Sequence, residues 1–220
     1  MSKKYKLTDE TIKLNGVTLY RIEALKDFGE IKKGDKGGFI ASENNLAHEG
    51  NAWVSDDACV YNNARVYGNA HIYGEAWVYG SACVYEDACV FGCACVYNNA
   101  CVYNNARVCC NACVSDNARV CGNARVYGDA LVRGDAYVCD DAEISTDADY
   151  IVFKNWWSSG RYFTWTRSNN MWSVGCFYGT GEELIKKAYK DSELSGREYE
   201  RVVRYVESIL AEENPSKGTN

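Results

Sequence analysis

Few residues in this chain have the chemistry of a reactive site: two histidines, twelve cysteines, paired carboxylates in short turns, and arginines recurring at one outward slot. His71 stands beside Glu75 on the outward side of a short strand and has the form of a general base. A base needs a positioned partner, however, and an exposed histidine without one reads as a surface residue. His48 has no better setting. Eleven cysteines lie in one periodic segment and only Cys176 lies outside it. No CxxC pair recurs at zinc spacing, so neither a metal nor another cofactor is expected, and cysteine reads as a small apolar strand residue in a reducing compartment. Asp56-Asp57 and Asp140-Asp141 are placed to bend the backbone. No catalytic residue is assigned.

The elements that must position these groups are hexads. Alanine occupies every sixth position from Ala52 to Ala148, and valine or isoleucine follows two residues later from Val54 to Ile144, with no insertion. Ala and Val therefore point to one side of a short strand, while the residue between them and the one after point outward. Gly68, Gly74, Gly80, Asn62, Asn98, Asn104 and Asp56 fill the turn slot, residues that tolerate positive φ. So thin an apolar face is buried only by stacking successive turns, which predicts a parallel β-solenoid.

This pattern resembles the hexapeptide-repeat superfamily, whose members fold as left-handed parallel β-helices with three hexads per coil. The resemblance implies about five coils, roughly 25 Å tall at ordinary strand spacing. It also implies that residues 18 apart stack. Tyr61, Tyr79 and Tyr97 then form one outward ladder, Tyr67, Tyr85 and Tyr103 a second, and Tyr73, Phe91 and, further along, Tyr127 a third. So broad an aromatic surface suits an oligomer interface. The superfamily is typically trimeric and binds its ligands in the clefts between subunits. Stacking also sets Arg107 over Arg125, after His71 and Cys89 and before Glu143 in one column. Pairing with Glu143 is the bland solution for the two guanidiniums; a phosphate-bearing or nucleotide ligand bound by Arg107, Arg125 and His71 is the sharper one. Acyltransferases of the superfamily commonly carry a histidine base and a protruding loop, which this repeat lacks, and its carbonic anhydrases need three histidines.

Residues 1–45 read as an N-terminal β-hairpin cap turning at Asn15-Gly16, 46–149 as the β-helix, and 150–212 as a small α+β domain. In the last, YIVFKNWW, RYFTWTR and MWSVGCFYG read as three strands. Capping boxes at Thr180–Glu183 and Ser195–Glu198 open two helices. Residues 213–220 read as a disordered tail. GDKGGFIASENNLAHEGNAWV and GCFYGTGEEL are similar to stretches in proteins of tailed phages and gut bacteria that are labelled transferases by analogy. A formal net charge of −6 with interleaved signs disfavours polymeric nucleic acid. No apolar run is long enough for a membrane span, and a cytoplasmic location is expected. The combined expectation is a mainly β, non-enzymatic binding or assembly module, with nucleotide sequestration in phage counter-defence and acyl transfer as alternatives.

Overall fold

The computed structural model describes residues 3–213. They divide into two compact units: the described part of Met1–Tyr150 with Thr166–Asn169, and that of Ile151–Trp165 with Asn170–Asn220.

The first unit is a parallel β-solenoid. Each hexad contributes one two-residue strand, from β4 (Trp53–Val54) to β19 (Glu143–Ile144). Pairing recurs at 18 residues on all three faces, as in Cys83↔Cys101, Cys95↔Cys113 and Arg107↔Arg125. Alanines from Ala52 to Ala142 and their aliphatic partners are buried throughout, because the narrow coil admits only small residues beside each valine. Full burial of such a valine stabilises by about 1.5–3 kcal/mol. The turn slot has positive φ at every hexad from Asp56 to Asp140, non-glycines included. Next to it, amide side chains bond along the stack: Asn105 donates to Asn123 (3.1 Å) and Asn123 to Asp141 (3.0 Å), while Asn99 donates to Asn117 (3.3 Å) and Asn117 to Asp135 (3.2 Å). These runs end on a carboxylate, which accepts without having to donate.

Parallel stacking starts earlier than the boundary at 46. The strands β1 (Tyr5–Leu14) and β2 (Val17–Ala24) form the hairpin expected at Asn15-Gly16, both of whose residues have positive φ. The strand β3 (Lys36–Ile40) pairs antiparallel with β2 and parallel with the repeat, Phe39↔Cys59 and Ile40↔Val60. That spacing is 20 residues, and Leu46 bridges Val66 at the same spacing, whereas Trp53 pairs His71 at 18. Two extra residues between Leu46 and Trp53 thus explain why Leu46 and His48 fit the hexad register loosely. Buried Lys4 serves the widened turn: its Nζ donates to the Ala52 carbonyl (2.8 Å) and its amide to His48 Nδ1 (3.2 Å), and burial lowers its pKa to about 8. Arg21 pins the hairpin, lying 4.1 Å over Phe39 and donating to the Gly37 and Asp56 carbonyls. At the other end, Asp147 accepts the Leu131 amide, Ser168 accepts the Glu143 amide, and Tyr150 donates to the Leu131 carbonyl, closing edge groups that would otherwise be open to another chain.

The second unit has a sheet of four strands, where the sequence reading expects three: β20 (Tyr150–Lys154), β21 (Tyr162–Thr166), β22 (Met171–Val174) and β23 (Phe177–Gly179). MWSVGCFYG is a hairpin because Gly175, at φ 61°, turns the chain. The helix α1 (Gly181–Asp191) has the expected Thr180 box: Thr180 Oγ accepts the Glu183 amide and Glu183 accepts the Thr180 amide. The helix α2 (Glu193–Glu213) starts before the expected Ser195 box, since Ser192 Oγ already accepts the Ser195 amide. Gly196 is needed there for close packing: a Cβ would lie 2.2 Å from the Tyr189 ring. Phe163, Trp165, Trp172, Leu184, Tyr199 and Val203 form this unit's core. Glu213, in the expected tail, is still helical, and the rest of that tail, 214–220, lies outside the described residues.

Candidate functional site

The invariant hexad assigns each outward side chain to one of two columns per face, so any departure from the repeat is a local change of surface. On one face the strand slots stack Trp53, His71, Cys89, Arg107, Arg125 and Glu143. Two residues along each strand, the adjoining column reads Ser55, Tyr73, Phe91, Cys109, Tyr127 and Ser145.

Rings in these adjoining columns stack face to face. Tyr61–Tyr79 and Tyr79–Tyr97 centroids are 5.1 and 5.0 Å apart, Tyr67–Tyr85 and Tyr85–Tyr103 are 4.9 and 5.0 Å apart, and Tyr73–Phe91 are 4.8 Å apart. The aromatic surface is narrower than the sequence suggests. Each ring covers its neighbour, and Tyr61 is only 2% exposed because Leu19 and Phe39 of the chain's own N-terminal strands pack with it. Tyr79, Tyr85, Tyr97 and Tyr103 are half-buried, and Tyr67 is exposed.

The third ladder breaks at Cys109 and resumes at Tyr127. A groove of about 420 Å³ opens at the break, lined by Phe91, Arg107, Cys109, Cys110, Arg125, Tyr127 and Glu143. That volume lies within the range of small-molecule sites. Arg107 lies 5.4 Å from the Phe91 ring centroid. Arg125 faces Glu143 at 3.8 Å, and both side chains are about half exposed (59% and 49%). In water two such guanidiniums about 5 Å apart repel by less than about 1 kcal/mol, so their stacking is tolerable and leaves a local excess of positive charge.

Burial pushes the Cys109 thiol up to about 11 despite Arg107 and Arg125, with the adjacent Cys110 sulfur at 3.6 Å, so at neutral pH it is not a thiolate nucleophile. His71 shares the arginine column but stands two strands from Arg107 and does not line the groove. His48 is structural: its ring stacks on Tyr5 at 4.4 Å and its Nε2 faces Glu43 at 3.4 Å. Among the described residues no group of three or more His, Cys, Asp or Glu side chains is placed to hold a metal ion.

A second cluster on another face escapes reasoning from the repeat alone. Cys121 and Cys139 take the column that Tyr67, Tyr85 and Tyr103 begin, and both are buried. Hydrogen bonds from Cys139, Tyr103 and Tyr137 hold the Cys121 thiol down to about 6 against the effect of burial. The visible signal is the change from tyrosine to cysteine at that slot, with Tyr137 two residues before Cys139.

No curated protein matches the chain. A family model described as the YdcK β-solenoid repeat matches residues 58–74 and 118–134. Both stretches lie inside the hexads, and the second includes Arg125 and Tyr127 but not Arg107 or Cys109. The likeness is therefore to the repeat unit of a β-solenoid, at two places in this coil.

Proposed function

We propose that the protein is a non-enzymatic binding module that holds a small anionic ligand in the groove between Arg107 and Arg125. The observation that carries this reading is the in-register pair of guanidiniums beside two aromatic rings in a concave site. Paired arginines recognise phosphate or carboxylate by charge-assisted hydrogen bonds, and the neutral thiol beside them offers no competing reaction. The coil itself belongs, on this reading, with left-handed hexapeptide-repeat helices. The twelve free cysteines fit a reducing compartment such as the cytoplasm. Assembly into a homo-oligomer, a trimer by that resemblance, is supported by exposed Tyr67 and Leu131 and by the half-covered rings on the same faces.

Native mass spectrometry tests both parts of the reading in one measurement. The expected result is a multiple of the chain mass that retains nucleotide or pyrophosphate adducts, which the Arg107→Ala/Arg125→Ala double variant loses. Adducts retained equally by the double variant, or none on the unaltered protein, would end the binding reading; a monomer mass would end the assembly reading.

A further inference from the structure

The break in the third ladder has the dimensions of one missing ring. Phe91 and Tyr127 are 36 residues apart in one column, which is two strand spacings, or about 10 Å. Where rings occupy successive rungs of a column, their centroids lie 4.8–5.1 Å apart and their planes within 9° of parallel. A planar ring lying over Cys109 would thus meet Phe91 below and Tyr127 above at the spacing that this fold already uses. Cys109 is too small to fill that space, and the Arg107 guanidinium, 5.4 Å from the Phe91 centroid, is the side chain that a ring there would move aside.

Charge around the rung narrows the ligand further. Arg107 and Arg125 supply two positive charges and Glu143 one negative, and all three line the groove. A phosphate monoester, carrying about −1.5 to −2 at neutral pH, matches this balance better than a di- or triphosphate. Glu143, being acceptor-only when ionised, favours a ligand that also offers N–H or O–H donors, as an exocyclic amine or a ribose does.

We propose that the groove binds a nucleoside monophosphate, with its base sandwiched between Phe91 and Tyr127 in the Cys109 rung and its phosphate on Arg107 and Arg125. This rests on the anion-binding reading of the same groove and adds the ring to it. Stacking of a base on aromatic side chains is tolerant of base identity, so adenine and guanine nucleotides are both accepted.

The test is calorimetric titration of the full chain with AMP, adenosine and inorganic phosphate. Cys109→Tyr and Tyr127→Leu are compared with the unaltered protein, with circular dichroism recording that each is folded. AMP is expected to bind at least tenfold tighter than phosphate, both substitutions to abolish that preference, and Arg125→Ala to weaken AMP and phosphate together. Equal affinity for AMP and phosphate, or a folded Cys109→Tyr protein that still prefers AMP, overturns the proposal. Phosphate binding that Arg125→Ala weakens, without any preference for AMP, leaves the anion site standing and removes the ring. Adenosine binding lost in Cys109→Tyr, with no phosphate binding, keeps the ring and removes the anion site. No binding of any probe removes both.

Discussion

If the Cys109 rung is open for a ligand, filling it with protein should stabilise the solenoid. Cys109→Tyr adds a ring between Phe91 and Tyr127, creating two stacks of the kind seen five times elsewhere in the coil at 4.8–5.1 Å. Each is worth about 0.5–1.5 kcal/mol beyond simple burial, or about 1–3 kcal/mol together. Against this, the new ring displaces the Arg107 guanidinium from Phe91, an exposed cation–π contact worth about 0.5–1 kcal/mol. At the middle of each range, the expected net gain is about 1 kcal/mol. Because the chain has two compact units, hydrogen exchange read on peptides covering residues 89–129 is the suitable assay, since it reports opening of these turns alone. The reverse change provides the scale: Tyr85 stacks on both Tyr67 and Tyr103, whereas Tyr67 stacks only on Tyr85 in its ladder. Tyr85→Leu should therefore accelerate local exchange more than Tyr67→Leu does. Unchanged or faster exchange in Cys109→Tyr, alongside the expected losses at Tyr85 and Tyr67, would refute the claim that this rung has the shape of its neighbours.

Arg21→Ala removes a guanidinium that covers Phe39, bonds two carbonyls, and pairs with Glu10 and Asp57 at 2.6 and 3.2 Å. A loss of about 2–3 kcal/mol is expected from the unsatisfied carbonyls and lost ion contacts, read as faster protease cleavage in β1 and β2; cleavage at the unaltered rate would contradict the pinning role. Alkaline pH should destabilise the solenoid, because burial raises the Cys59 thiol from 9.0 to about 11. The folded state then holds its proton more tightly than the unfolded chain. The contribution is full below pH 9 and is lost as pH rises through 11, about 2–3 kcal/mol in all. Cys59→Ala should flatten the fall in urea midpoint across that window, and an unchanged slope would count against it.

How far the sequence could be read depended on how strictly a segment repeats. The alanine and valine slots run without insertion, so the 18-residue columns that bring Arg107 to Arg125 and Tyr79 to Tyr97 follow from counting once three hexads make a coil. Where the repeat lapses, counting misleads. The two extra residues after Leu46 displace the register, and only the buried Lys4 and the stacked Tyr5 and His48 show how the chain absorbs them. In the second unit, a box of the form Ser-x-x-Glu recurs too easily to mark a helix start by itself. Ser192 lies one turn ahead of Ser195 and serves α2 first. MWSVGCFYG reads as one strand, yet the positive φ of Gly175 makes it a hairpin.

The same logic turns departures from the repeat into functional clues. An outward slot with an unusual residue has to be covered by the chain, satisfied locally or left for something else. Tyr61 is covered by the hairpin, and Cys121 is enclosed by Cys139, Tyr103 and Tyr137. Cys109 is less enclosed: half-buried, it meets the Cys110 sulfur at 3.6 Å and lines a groove whose arginines face one carboxylate at 3.8 Å. A tyrosine there would continue the ladder, as Tyr103 does on the adjacent face, once Arg107 moves off Phe91. The cysteine therefore forgoes stacking that the neighbouring rungs have, and on the proposed reading a ring supplied from outside would restore it only while bound, which is the energetic form a binding site takes.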